Sequence, residues 1–157
     1  MNKRALWLAI AACFAGATFV TQADSPAPPP PPPTKICTKA AKCELFVSVK
    51  ACSANGISID HMVVGVKDGE KDVDIDWTLD KASEGSYEFH KTNGIKPKRP
   101  GWEKEFGSAQ GNKNTFRWHD RNHLGTPKKR VYEYSITVVK KDGSPCGVLD
   151  PIVINDS

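Results

Sequence analysis

Four dipeptides, Asn55-Gly56, Asp68-Gly69, Asn93-Gly94 and Asp142-Gly143, recur through the chain. Each supplies residues that tolerate the positive φ of a tight turn. The segments between them alternate with a period of two. In Asp72 to Leu79 (DVDIDWTL), Val73, Ile75, Trp77 and Leu79 point to one face and Asp72, Asp74 and Asp76 to the other. Val131 to Lys140 (VYEYSITVVK) does the same, with Tyr132, Tyr134, Ile136 and Val138 on one side. Glu44 to Lys50, Ile57 to Lys67, Ser86 to Lys91, Thr115 to Trp118 and Val148 to Asn155 complete a set of about seven strands at sandwich-like spacing. No amphipathic helix is evident, although Lys42 to Val47 and Ala109 to Asn114 have room for a helical turn. The expectation is an all-β domain, an antiparallel sandwich, over residues 35–157.

The pattern resembles immunoglobulin-like β-sandwiches over roughly Cys43 to Asn155. Trp77 occupies the place of the buried tryptophan on the third strand, and Tyr132 or Tyr134 suits the strand before the last. It departs from antibody domains, because no cysteine sits two residues after either tyrosine. The stretch VKDGEKDVDIDWTLD is also similar to the early strands of cupredoxins, which makes a cupredoxin-like sandwich the alternative fold. The copper role of that family needs a Cys followed closely by a His. Cys146 is followed by GVLDPIVIN, so that role fails residue by residue.

What precedes the domain sets its compartment. Lys3 and Arg4 form a charged n-region, Ala5 to Val20 is apolar except for Gly16 and Thr18, and Thr21-Gln22-Ala23 offers small residues for cleavage. Residues 1–23 therefore read as a secretory signal, and the protein is expected to be periplasmic or secreted. Ile10-Ala11-Ala12-Cys13 resembles a lipobox, so lipid anchoring through Cys13 is the alternative; against it, the apolar run continues past the cysteine to Val20. No later apolar run approaches the roughly 20 residues of a membrane span, so no transmembrane segment is expected in the mature chain. Residues 24–34 hold the tract Pro28 to Pro33, which lacks backbone donors and reads as an extended polyproline spacer.

Four cysteines, Cys37, Cys43, Cys52 and Cys146, follow the signal, and in an exported chain they read as two disulfides. A strand over Glu44 to Lys50 holds Cys43 and Cys52 beyond the ~7 Å Cα limit for a bridge. The simplest remaining pairing is Cys37–Cys43 with Cys52–Cys146. Cys37–Cys52 with Cys43–Cys146 stays open.

Charge is segregated along the chain. Asp60 to Glu88 carries nine acidic and three basic residues, whereas Lys91 to Arg130 carries eleven basic and three acidic ones. The basic segment interleaves cations with rings, and Trp102, Arg117, Trp118 and Arg121 are its candidate binding surface. Export directs such a surface to a protein or an anionic glycan rather than to nucleic acid. Catalytic signatures fail. Gly107-Ser108-Ala109-Gln110-Gly111 is not a G-x-S-x-G elbow, Glu103 and Glu105 sit too close in sequence to flank a glycosidic bond, and oxidised cysteines supply no thiolate. Asp72, Asp74 and Asp76 lack the Gly and Glu positions of an EF-hand. The leading expectation is a non-enzymatic binding or interaction module with no cofactor and no metal. The rival is a small exported metal-binding protein or metalloenzyme using His119 and His123 in WHDRNH.

Overall fold

A computed structural model describes residues 34–67, 69–107, 110–122 and 129–156. The signal, Cys13, the proline tract and His123 lie outside the described residues. The elements run β1 (Lys35–Cys37), β2 (Cys43–Val49), β3 (Ile57–Ile59), β4 (Val63–Val66), β5 (Val73–Leu79), α1 (Lys81–Glu84), β6 (Tyr87–Phe89), β7 (Ile95–Pro97), α2 (Glu103–Phe106), β8 (Gln110–Gly111), β9 (Thr115–Asp120), β10 (Lys129–Lys140), β11 (Pro145–Leu149) and β12 (Ile152–Asp156). The strands form two sheets that face one another, an all-β sandwich. Five strands, in the order β3-β2-β5-β9-β8, make one sheet. The other is built on β10, with β11 and β12 along one edge, β6 and β7 also paired to it, and β4 and β1 beyond β12.

Several expected strands divide where the chain must bend. Ile57 to Lys67 splits into β3 and β4 around Asp60 to Met62. Val148 to Asn155 becomes β11 and β12 with the break at Asp150-Pro151, because proline has no N–H for the ladder. Both pieces keep one register along β10, from Ile136 opposite Leu149 to Glu133 opposite Ile152. Lys42 to Val47 is strand rather than helix. The two α-helical turns lie elsewhere; α1 is opened by Asp80, whose side chain accepts from the Ser48 hydroxyl and from the Ser83 N–H at 2.8 Å. The Ser48 hydrogen bond, and then those from Ser83, hold the Asp80 carboxyl below its ordinary range.

The pairings are mixed, not wholly antiparallel. β5 lies parallel to β2, β4 parallel to β12, and β1 parallel to β4. The reason is the route of the chain: after the β2–β3 hairpin it crosses to the opposite sheet as β4 and returns as β5 beside β2. The hairpin reverses the chain once and the passage through the other sheet reverses it once more, which leaves β2 and β5 pointing the same way. Three strands, β1, β7 and β8, were beyond the expected set. They are two or three residues long, too short for alternation to register.

Packing follows the alternation. Val73, Ile75, Trp77 and Leu79 of β5 are all buried, as are Phe116 and Trp118 of β9 and Tyr132, Tyr134, Ile136 and Val138 of β10. Trp77 lies at the centre. Its Nε1 donates to the Tyr134 hydroxyl across the sandwich at 3.0 Å, and its ring meets Trp118 and Tyr134 edge-on at 5.2 and 5.3 Å. Burial pushes the Tyr134 hydroxyl above its ordinary range. Cys37 pairs with Cys43 (Cα–Cα 5.3 Å) and Cys52 with Cys146 (Cα–Cα 4.3 Å), the simplest of the two open connectivities. Among the described residues no helix is long and apolar enough to cross a membrane.

Candidate functional site

The outer face of the β5–β9 pair carries a ladder of opposite charges. Antiparallel register sets Asp74 opposite His119 and Asp76 opposite Arg117, and directly opposed residues on one face are near enough to bond. Arg117 grips Asp76 with two contacts, Nε to Oδ1 at 2.6 Å and Nη2 to Oδ2 at 2.8 Å, and its Nη1 lies 3.6 Å from Asp74 Oδ2. Such a two-point guanidinium–carboxylate pair is directional as well as electrostatic. It raises the Arg117 pKa above its already high ordinary value. His119 sits between two carboxylates, Nδ1 at 2.9 Å from Asp74 Oδ1 and Nε2 at 3.1 Å from Asp72 Oδ1. The hydrogen bond to Asp74, more than that to Asp72, raises the His119 pKa. Asp72 reaches its place through a left-handed backbone, φ 58°.

The ladder forms one wall of a cleft of about 470 Å³. The opposite wall is the short loop closed by Cys37–Cys43, which contributes Thr38, Lys39, Ala41 and Lys42. That loop is fastened at several points. Thr38 and Ala41 form a β-bridge, the Lys39 N–H donates to Glu70 Oε2 at 3.0 Å, and Lys42 Nζ donates to Glu44 Oε1 at 3.0 Å. The cleft therefore offers acceptors and cationic donors side by side on backbone held by a ladder on one wall and a disulfide on the other.

The expected surface around the basic segment separates into different environments. Arg117 lies on the cleft wall. Trp118, its neighbour in β9, faces the other way and is buried, stacked on Phe106 at 4.8 Å; it belongs to the core because β9 alternates, Phe116, Trp118 and Asp120 inward and Arg117 and His119 outward. Trp102 is half-buried, packed edge-on to Tyr132 at 5.1 Å with the Arg99 guanidinium 5.6 Å from its ring centre. Arg121 is exposed and donates from Nη1 to the Lys104 carbonyl at 3.1 Å. These four side chains do not share one face.

Both ring nitrogens of His119 face carboxylate oxygens, and when protonated the ring donates to both. His123 falls outside the described residues. Among the described residues no group of three or more His, Cys, Asp and Glu side chains is arranged to hold a metal ion. Sequence reasoning missed Thr38, Lys39 and Lys42. The signal for them was present, since a six-residue cysteine spacing encloses both lysines in a tight loop.

No protein-family model matches this sequence, and comparison with curated proteins gives no match.

Proposed function

We propose that the protein is an exported, non-enzymatic binding module, and that the cleft between the disulfide-closed loop and the β5–β9 ladder receives an anionic glycan. The cleft's composition carries this reading. Lys39 and Lys42 supply donors for an anionic group, while Asp72 and Asp74 supply acceptors for hydroxyls, and a sugar presents both kinds of partner within a few ångströms. The carboxylates are engaged by Arg117 and His119, which suits holding a ligand rather than transferring protons to it. The two cysteine pairs fit an oxidising compartment, where such glycans are found. The basic segment on its own is a weaker basis, because its cations and rings point to different faces.

Calorimetric titration with sulfated, carboxylated and neutral oligosaccharides tests the proposal. Anionic members should bind, with affinity falling as salt rises, since exposed charges are screened beyond ~8–10 Å at moderate ionic strength. Lys39→Glu with Lys42→Glu should weaken binding about tenfold or more, through loss of two attractive and gain of two repulsive contacts. Equal affinity of the double variant, or no binding by any oligosaccharide, contradicts the assignment of the cleft.

A further inference from the structure

Behind His119, on the inward side of β9, lies a polar cluster that the cleft does not use. Asp120 is fully buried. Its Oδ1 accepts from the Asn122 N–H at 3.0 Å and from Asn155 Nδ2 at 3.0 Å. The second of these bonds crosses the sandwich, since Asp120 belongs to the five-stranded sheet and Asn155, on β12, to the seven-stranded one. Each side chain then keeps one buried oxygen with no hydrogen-bond partner among the described residues, Asp120 Oδ2 and Asn155 Oδ1. Both are acceptors when Asp120 is ionised, and two unmet buried acceptors are costly. One proton on Asp120 removes the conflict.

We propose that a proton carried on Asp120 Oδ2 closes a two-point clasp with Asn155, the acid O–H donating to Asn155 Oδ1 while Asn155 Nδ2 donates to Asp120 Oδ1, so that the two sheets are joined by a pH-sensitive link. The ring formed is the ordinary pairing of a carboxylic acid with a primary amide. It also fixes the amide's orientation, because an Asn155 turned the other way sets oxygen against oxygen. The surroundings favour the acid form. Glu105 from α2 is buried beside the site, and His119 from β9 and Tyr132 from β10 are the other ionisable groups coupled to it; Arg130 acts on Tyr132, and β5 presents Val73. Burial pushes the Asp120 carboxyl up to about 7, with the charge of Glu105 adding to the rise, against the two hydrogen bonds and His119, which favour the ion.

The sign of the pH dependence follows. A carboxyl whose folded pKa stands above its unfolded value contributes fully at pH below about 4. That contribution is lost as pH climbs to about 7, where the clasp opens. The loss amounts to at most about a thousandfold in the folding equilibrium. Carbon-13 NMR of the side-chain carboxyl in the wild-type domain reads the proton directly, and Asp120 should titrate near neutrality. Asp120→Asn places a permanent donor opposite Asn155 Oδ1, so its thermal midpoint should match the wild type's at low pH, exceed it above neutrality, and change less between pH 4 and 8. Glu105→Gln should lower the Asp120 midpoint. An Asp120 that titrates near 4, as it would if bridged by a water instead of closed by a proton, overturns the clasp. So does an Asp120→Asn profile parallel to that of the wild type.

Discussion

Replacing Trp77 by Ala tests how the sandwich is held together. The side chain is fully buried, contacts both sheets and donates its only N–H to Tyr134. Truncating a buried aromatic to Ala costs about 3–5 kcal/mol. This site belongs at the upper end. The Tyr134 hydroxyl, itself fully buried, loses its donor, and a stranded buried polar group costs ~1–3 kcal/mol. The edge-on contacts with Trp118 and Tyr134 disappear as well, each worth ~0.5–1.5 kcal/mol beyond burial. These contributions overlap, so about 5 kcal/mol is the reasoned figure. For a domain of this size it lowers the thermal midpoint by roughly 15–25 °C. Denaturant unfolding followed by tryptophan fluorescence and circular dichroism gives the free energy. A double-mutant cycle of Trp77→Phe with Tyr134→Phe isolates the cross-sheet hydrogen bond, with an expected coupling of about 1 kcal/mol. A midpoint within 3 °C of wild type for Trp77→Ala, on the scale of about 2–8 °C per kcal/mol, refutes the packing argument.

Cys52→Ser with Cys146→Ser opens a linkage spanning 94 residues and should cost about 2–5 kcal/mol, measured by chemical denaturation. Cys37→Ser with Cys43→Ser, spanning only 6, should cost less globally and raise amide exchange chiefly in the Thr38–Lys42 loop. Arg117→Ala leaves the largely buried Asp76 without its two-point partner and should destabilise by about 1–2 kcal/mol, more than His119→Ala at an exposed pair. Because His119 is raised above its ordinary 6.5, its contribution should be complete below that pH and fade as pH rises through its higher folded value. Proton NMR titration of the ring should show this, with Asp74→Asn lowering the midpoint more than Asp72→Asn.

Alternation made the faces of β5 and β10 readable, since half-buried strands repeat every two residues and their turns carry Gly, Asn and Asp. Strand direction left no such trace: the parallel pairing of β5 with β2 depends on a passage through the opposite sheet, and neither strand's sequence records it. The charged ladder was half legible. Asp72, Asp74 and Asp76 alternate outward and a basic segment follows them in sequence, but only register identifies Arg117 and His119 as the partners. Trp118 shows composition misleading where periodicity does not. Its neighbours group it with Arg117 as a surface, while the same alternation continued through TFRWHD places it inward. Asp120 follows from that alternation too, as a carboxyl on a core face, although Asn155 and Glu105 come to it from distant parts of the chain.

Residue-resolved NMR of the isotopically labelled protein, titrated with a sulfated oligosaccharide at low salt, tests the assignment of the cleft most directly. Amide shifts should move together at Thr38, Lys39 and Lys42 and along Asp72 to Asp76 and Arg117 to His119, and the set should revert on adding salt. Shifts confined to the surface around Trp102 and Arg121, with the cleft residues unmoved, would contradict it.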